Sequence, residues 1–423
     1  MAERFRNNAY RFLRWSERYF KTDMVYLSRG GFWLTLGQVV SIFSLFLLSI
    51  VFANSISPET YGVYRYILSV AGMFAVFTLP GMMPAIVRAT AQGKDHLIHA
   101  ATRERATWSL LGVVVALLGA IYYFVNENNV LATALFIVAF FLPFFDTFSL
   151  YNAYLVGKKN FKKQTLLHLI SQLVSVVFLT TTLFITDNII LILLAYFVPL
   201  ALVRFILYVY TTKKIVAIPT PKNEENLIYG KHLSAMNVFS AVSTNIDKFL
   251  LWHFLGPAQV AIYVFAVAIP EQIKGPLKGL GELALPKFAE KKPDEIRTLM
   301  SSLWYKILWY GFFLLITSLV YIVSAPFIFS LFFPQYLDSV IYSQIFSLTI
   351  VTGVSAIPMS LLTAQKKIKE QYSINIVQPM LNIILFLIFI PMWGIMGAII
   401  AWTAGRVFST VYIIGLTLYT FRH

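Results

Sequence analysis

This sequence predicts an all-α polytopic membrane protein: twelve transmembrane helices in two six-helix lobes, a parallel pseudo-repeat around a central cavity. Three observations predict it. Hydrophobic residues fill 58% of 423 positions and charged residues only 13%, a balance that no soluble domain of this size could present to water. Apolar runs of ~20 residues, enough to cross a bilayer, recur at about 31–53, 61–86, 107–125, 130–156, 165–185, 189–210, 232–254, 259–279, 302–324, 340–363, 372–390 and 395–418. The segments between them alternate in charge. Segments 1–30, 88–106, 157–164, 211–231, 274–298, 364–371 and the C-terminal tail hold all of the 34 Lys and Arg except Arg65, Arg204, Lys248, Lys306 and Arg406. The intervening turns 54–60, 126–129, 186–188, 255–258, 325–339 and 391–394 hold none. By the positive-inside rule both termini are expected to be cytoplasmic, with the chain crossing the cell (inner) membrane many times. An error of one span would put basic loops on both sides, so the alternation also checks the count.

Taken in order, residues 1–30 are expected to form an interfacial amphipathic helix. On a wheel of about 100° per residue, Phe5, Phe12, Leu13, Tyr19 and Phe20 face away from Arg4, Arg11, Arg14, Arg18 and Lys21, the pattern of a helix lying on an anionic leaflet. The stretch lacks the apolar core and cleavage site of a signal peptide. Residues 31–210 form the expected N-terminal lobe, 211–231 a cytoplasmic linker whose Pro-Thr-Pro suits a solvated tether, and 232–423 the C-terminal lobe. An even number of spans per half makes the repeat parallel, with its axis along the membrane normal. Weak similarity agrees: FANSISPETYGVYRYILSV (52–70) and FLGPAQVAIYVFAVAI (254–269) share an aromatic, a polar turn and an apolar-small-Tyr run, with Tyr64 opposite Tyr263. The longest outer turn, 324–338, is itself apolar and is expected in the interface, which leaves no room outside for a catalytic domain.

No catalytic signature is present: no phosphate-binding G-x-x-x-x-G-K-[ST], no G-x-G-x-x-G, no H-E-x-x-H and no G-x-S-x-G. The absence of cysteine excludes thiol chemistry and sulfur-ligated metals, and no cofactor is expected. The net charge of +15 is spent on orientation rather than on a nucleic-acid partner. Chemistry therefore has to be sought in charges inside the spans, which are costly and mark function or pairing. The stretch Lys231–Pro257 stands out, because Asn245, Asp247 and Lys248 lie within it. Asp247 with Asn245 reads either as a cation or proton site for coupling or gating, or as a simple Asp–Lys or Asp–Arg pair. Residues two apart project about 200° apart on a regular helix, so both reach one ion only if the helix is distorted. Arg65 in the second span reads as a contact for a phosphate or sugar acid that pairs with Asp247 when the outer side closes, or as a residue snorkelling to outer headgroups.

In the eighth span Glu271 and Lys274 share a helical face and can pair. Pro270, Gly275, Pro276, Gly279 and Gly281 predict a kinked or interrupted helix there. Lys274 and Lys278 read as an inner vestibule for an anionic headgroup or as a cytoplasmic cap. Asp146 and Arg204, at comparable heights in the fourth and sixth spans, are expected to form a structural pair, and Arg406 has Glu271 as a candidate partner. His168 and His253 read as polar anchors near opposite interfaces.

The chain resembles the polysaccharide transporter, O-antigen flippase-like branch of the multidrug/oligosaccharidyl-lipid/polysaccharide exporter superfamily. The similarity lies in GQVVSIFSLFLLSIVFANSISPETYGVYRYILSV and PGMMPAIVRATAQGK with Gly62, Gly81 and Arg88, in NIDKFLLWHFLGPAQVAIYVFA, where Asp247 matches a recurring acidic position, and in LFFPQYLDS. The chain departs in the short GPA turn after the seventh span. The resemblance implies two lobes around a cationic cavity and alternating access that moves a lipid-linked oligosaccharide from inner to outer leaflet, driven by an ion gradient or the membrane potential. Its implied partners are that lipid, membrane lipids and a coupling H+ or Na+. Arg65, Lys248 and Lys274, with Glu271, are then the substrate-binding candidates. Two other readings stand: a cation-coupled multidrug exporter of the same fold, whose cavity should be acidic or aromatic, and a membrane glycosyl polymerase or ligase, which would need a large outer loop.

Overall fold

The computed structural model describes residues 24–219, 224–289, 293–365 and 367–422, and they form helices with no strand among them. Residues 1–23 of the expected amphipathic helix, and the side chain of Lys278, lie outside the described ones. In the N-terminal half, α1 is Met24–Ser55; α2 is Pro58–Phe74, a 3-10 turn Ala75–Thr78 and Met82–Ala91; and α3 is Leu97–Val125. Helix α4 is Asn129–Phe145 followed by Thr147–Ser149 and Leu150–Gly157, α5 is Phe161–Ile185 and α6 is Ile189–Thr212. In the other half α7 is Glu225–Met236, Val238–Ser243 and Ile246–Leu255, α8 is Pro257–Ala289 and α9 is Pro293–Phe332. Helix α10 is Ser339–Ser347, the 3-10 stretch Leu348–Ser355 and Ala356–Ala364. The run Ile368–Arg422 breaks at Gly394 (φ 58) into α11 (368–393) and α12 (395–422); positive φ is cheap only for glycine.

Among the described residues eight helices are long and apolar enough to cross a membrane, and nine do so if the bent pair Pro58–Thr78 and Met82–Ala91 is one span. One of the eight is the run divided at Gly394. The predicted seventh and eighth spans are helical but fall outside that set. The seventh is broken at Asn237 and Asn245, and the eighth carries Glu271 and Lys274.

Short polar caps let the apolar runs reverse at the membrane edge. Ser57 Oγ accepts from Thr60 N–H at 3.2 Å, Asn128 Oδ1 from Leu131 N–H at 3.1 Å and Asn188 Oδ1 from Ile190 N–H at 2.9 Å. Each cap satisfies a donor that the first helical turn leaves orphaned. Two expectations need correction. Segment 324–338 is not all turn: α9 runs through Pro326 to Phe332, and Phe329, Phe333 and Tyr336 are fully buried whereas Phe327, Leu331 and Leu337 stay exposed. Helix α8 is not interrupted at its Pro and Gly residues but runs continuously from Pro257 to Ala289.

The halves meet along α2. Near the turns that carry no Lys or Arg, Gly62 lies against α8 so closely that a Cβ would sit 1.8 Å from the Pro257 carbonyl oxygen. Around it Tyr61 packs on Phe265 and Phe46 on Phe332, with centroids 4.9 and 5.5 Å apart. Mid-depth, Trp252 of α7 stacks on Tyr66 at 4.4 Å. On the basic face Gly81 N–H donates to Ser234 Oγ at 3.0 Å, and three ion pairs fasten the start of α7 to the N-terminal half: Arg88–Glu225, Lys94–Glu224 and Lys231–Glu104, at 2.9, 2.7 and 2.8 Å. Within the 211–231 connection α6 thus runs on to Thr212 and α7 is helical from Glu225.

Candidate functional site

A cavity of about 770 Å³ lies at the middle of the N-terminal half, walled by α1, α2, α4, α5 and α6 and closed on one side by Val264, Ala268 and Gln272 of α8. A polar stripe forms one wall. Gln172 of α5 accepts from Ser41 Oγ at 2.7 Å and donates to Ser44 Oγ at 2.8 Å, and Ser171 and Ser175 lie one helical turn apart beside it. The charges come from three helices. Arg204 of α6 lies 3.3 Å from Asp146 and donates at 2.5 Å to the carbonyl of Phe145, over whose ring its guanidinium lies at 4.8 Å. That carbonyl is available because α4, with Pro143 inside it, stops being α-helical at Phe145, so its last oxygens need outside donors.

Arg65 of α2 enters the same cavity among Tyr61, Tyr64 and Tyr196. Its Nε is buried with no hydrogen-bond partner, and no carboxylate pairs with it among the described residues. Formal charges in the cavity are Arg65, Arg204 and Asp146, a net of one positive. Such a chamber can hold an anion: buried guanidinium donors bind phosphate or carboxylate strongly, and the serine and tyrosine hydroxyls can meet polyol oxygens.

The other candidates lie elsewhere. Asp247 is 1% exposed inside the C-terminal half. It accepts from Tyr263 Oη at 2.6 Å, Trp402 Nε1 at 3.1 Å and Lys248 Nζ at 2.9 Å. Lys248 also donates to the Thr244 carbonyl at 3.1 Å, and neither residue lines the cavity. The helix is indeed distorted at Asn245, but the effect is to turn the amide away: it donates to the Ala241 carbonyl at 2.9 Å and presses on Gly72 of α2, where a Cβ would meet its Oδ1 at 2.8 Å. No group of three or more His, Asp or Glu that could hold a metal occurs among the described residues.

Glu271, Lys274 and Arg406 form a second cluster. Arg406 donates to Glu271 and, at 3.2 Å, to Thr349 Oγ1. Lys274 lies 3.8 Å from Glu271 and donates to the same Thr349 at 2.8 Å. The Arg406 guanidinium is sandwiched between Trp402 at 4.7 Å and Phe346 at 5.0 Å. This is a saturated cluster in the core of α8, α10 and α12. His168 lines the N-terminal cavity, whereas His253 packs edge-on against Phe254 at 5.0 Å.

Two features escaped sequence reasoning. Arg105, counted with a basic loop, is 2% exposed and donates to the Thr78 carbonyl at 2.6 Å, capping the break in α2 next to left-handed Leu79 (φ 53). The signal was its register: Leu97, Ala101, Arg105, Ser109, Gly112 and Ala116 repeat at helical spacing on the buried face of α3. The polar stripe on α5 was legible in the same way, as Gln172 flanked by serines within an apolar run.

The fold has known counterparts. A lipid II flippase, MurJ, in an inward closed conformation matches with a TM-score of 0.63 at 15% identity, over 93% of this chain and 87% of that one. An outward-facing multidrug resistance MATE family transporter of the MOP superfamily matches with a TM-score of 0.56 at 14% identity, over 93% and 95%. A MOP superfamily transporter from Pyrococcus furiosus, described as having reversed polarity in its binding pocket, matches with a TM-score of 0.53 at 13% identity, over 93% and 95%. These proteins are flippases and transporters rather than enzymes, and at such identities they share the fold alone. No curated protein sequence matches the chain. The model of a family described as "Polysaccharide biosynthesis protein" matches residues 27–292. More than half of the chain, including every wall of the N-terminal cavity, lies in that match, and the chain belongs to the polysaccharide biosynthesis protein family, with the MOP superfamily fold.

Proposed function

We propose that this protein is a flippase that carries a lipid-linked oligosaccharide across the cell membrane, with the phosphate or pyrophosphate head received by the N-terminal cavity. The observation that carries this reading is Arg65, a half-buried side chain whose Nε is buried without a partner in a hydroxyl-lined chamber. A buried donor left unsatisfied is costly, and an anionic head with several acceptor oxygens relieves that cost while being shielded from hydrocarbon. The net positive charge disfavours a cationic drug as cargo. Family membership and the likeness to a lipid II flippase fold support a lipid-linked substrate. The lobes alternate access between leaflets, inner to outer, with basic loops on the cytoplasmic side. Lacking a phosphate-binding loop, the chain draws on an H+ or Na+ gradient or on the membrane potential.

The test is transport of a fluorescent polyprenyl-pyrophosphate sugar in proteoliposomes under imposed gradients. Arg65→Ala should lower translocation about 10- to 100-fold, the worth of a hydrogen bond to a charged group, while the protein stays folded. Wild-type rates from this variant would refute the cavity as the headgroup site.

A further inference from the structure

A second chamber of about 720 Å³ lies at the basic face of the N-terminal half, apart from the transport cavity and sharing none of its lining residues. Three connections converge on it: the α2–α3 loop with Gly93, Asp95 and His96, the α4–α5 turn with Lys158, Asn160 and Lys163, and the end of α6 running on through Lys213, Lys214 and Ile215. Its formal charge is four lysines against Asp95. One lysine is already used, since Lys158 Nζ lies 2.6 Å from Asp95 Oδ2. Among the described residues the other three have no carboxylate partner. Instead Lys163 and Lys213 both lie over the ring of Tyr210, with Nζ 4.5 and 5.6 Å from its centroid. Two ammonium groups gathered on one ring repel each other, and no carboxylate lies between them to offset that.

Two further atoms are unsatisfied here. Thr211 Oγ1, a donor, and Asp95 Oδ1, an acceptor, are both buried without hydrogen-bond partners, and both residues line the chamber. The chamber thus offers cations and a hydroxyl donor for a phosphate, and an idle carboxylate oxygen for a hydroxyl. At its rim Val216 and Ile218 are 75% and 54% exposed, apolar side chains beside lysines at the level of a membrane interface, where such pairs meet headgroup and acyl chain together.

We propose that this chamber binds a hydroxyl-bearing phosphate headgroup, with Lys163, Lys213 and Lys214 on the phosphate, Thr211 donating to one of its oxygens and Asp95 accepting from a polyol hydroxyl. A lipid of the adjoining leaflet such as phosphatidylglycerol and a soluble polyol phosphate present the same chemistry. The chamber is independent of the transport reading, because Arg65 and its cavity take no part.

The experiment uses the full-length protein in nanodiscs of phosphatidylcholine containing phosphatidylglycerol, with retained lipids counted by native mass spectrometry. Wild type should retain phosphatidylglycerol over phosphatidylcholine, and Lys163→Gln/Lys213→Gln should reduce that retention roughly thirty-fold, given the attraction of each cation near an anionic surface. Lys163→Arg/Lys213→Arg keeps both charges and should retain the lipid, which separates loss of the site from loss of the fold. Phosphatidic acid, which lacks the polyol, should be retained less well than phosphatidylglycerol by wild type and equally by Asp95→Ala, which removes the acceptor. Displacement of the lipid by millimolar glycerol phosphate assigns the site to the soluble source, and persistence assigns it to the lipid. Equal phosphatidylglycerol retention by wild type and the double Gln variant overturns the proposal.

Discussion

The two halves carry nearly the same charged parts and use them differently. The N-terminal half places Arg65 and Arg204 with Asp146, and the C-terminal half places Lys274 and Arg406 with Glu271. In the C-terminal cluster Thr349 Oγ1 accepts from both cations and two aromatic rings enclose the guanidinium. The neighbouring Asp247 is likewise saturated by three side-chain donors. In the N-terminal cluster one cation is satisfied and the other is not, and the unsatisfied one faces open space. Equal charge count therefore does not mean equal capacity for a ligand. What decides it is whether the hydrogen-bonding demand of each buried group is already met by the protein.

The largest expected effect tests the saturated side. Asp247→Ala leaves Lys248 without its carboxylate and Tyr263 and Trp402 without an acceptor, so thermal unfolding in detergent should show a loss of about 3–5 kcal/mol. Asp247→Asn keeps an acceptor and should lose less. A wild-type melting curve for the alanine variant would mean that the network holds little.

Arg65→Ala sharpens the contrast from the other side. With no ion pair to break, it should change the unfolding temperature little while costing transport about 1.5–3 kcal/mol. Lys274→Ala should do the reverse, because it removes a donor from a filled cluster. If both variants affect stability and transport alike, the distinction between the halves fails.

Gly62→Ala probes the seam between them. Its Cβ would lie 1.8 Å from the Pro257 carbonyl oxygen, and that oxygen belongs to backbone, so α2 and α8 must separate at a cost of about 1–3 kcal/mol. Cysteine cross-linking between Tyr61 and Phe265 positions should fall in this variant.

The smallest effect concerns the ion pairs on the basic face. Lys94 holds the Glu224 carboxyl below its ordinary value of 4.5. A lowered folded value means that the stabilisation is complete above pH 4.5 and is lost as pH falls through the folded value. Asp95 raises Lys158 above its ordinary 10.5, so that contribution is complete below pH 10.5 and lost as pH rises through the folded value. Both pairs are partly open to solvent, and each should change stability by under ~1 kcal/mol. Chemical denaturation at acid pH, comparing wild type with Glu224→Gln, checks the first.

Much of the architecture could be read from the chain. The charge alternation of loops and the apolar runs located the helices, since a membrane forces every span to satisfy its own backbone and every basic loop to stay on one side. Asp146, Arg204, Glu271 and Arg406 could be singled out as buried charges for the same reason. Their grouping was another matter. That Arg65 shares a cavity with Arg204 and not with Lys248 or Lys274 depends on which faces of α2, α6, α7 and α8 turn toward one another. Arg105 shows the same limit, because only packing against the break after Thr78 makes it a structural cation and not a loop charge.

The sequence by itself determined the class, the succession of helices and the presence of costly charges at membrane depth, because these follow from solvation along one dimension. Tertiary structure alone decided which charges are quenched and which stand open, because that depends on hydrogen-bond partners hundreds of positions apart, as Asp247 and Trp402 are joined across 155 residues.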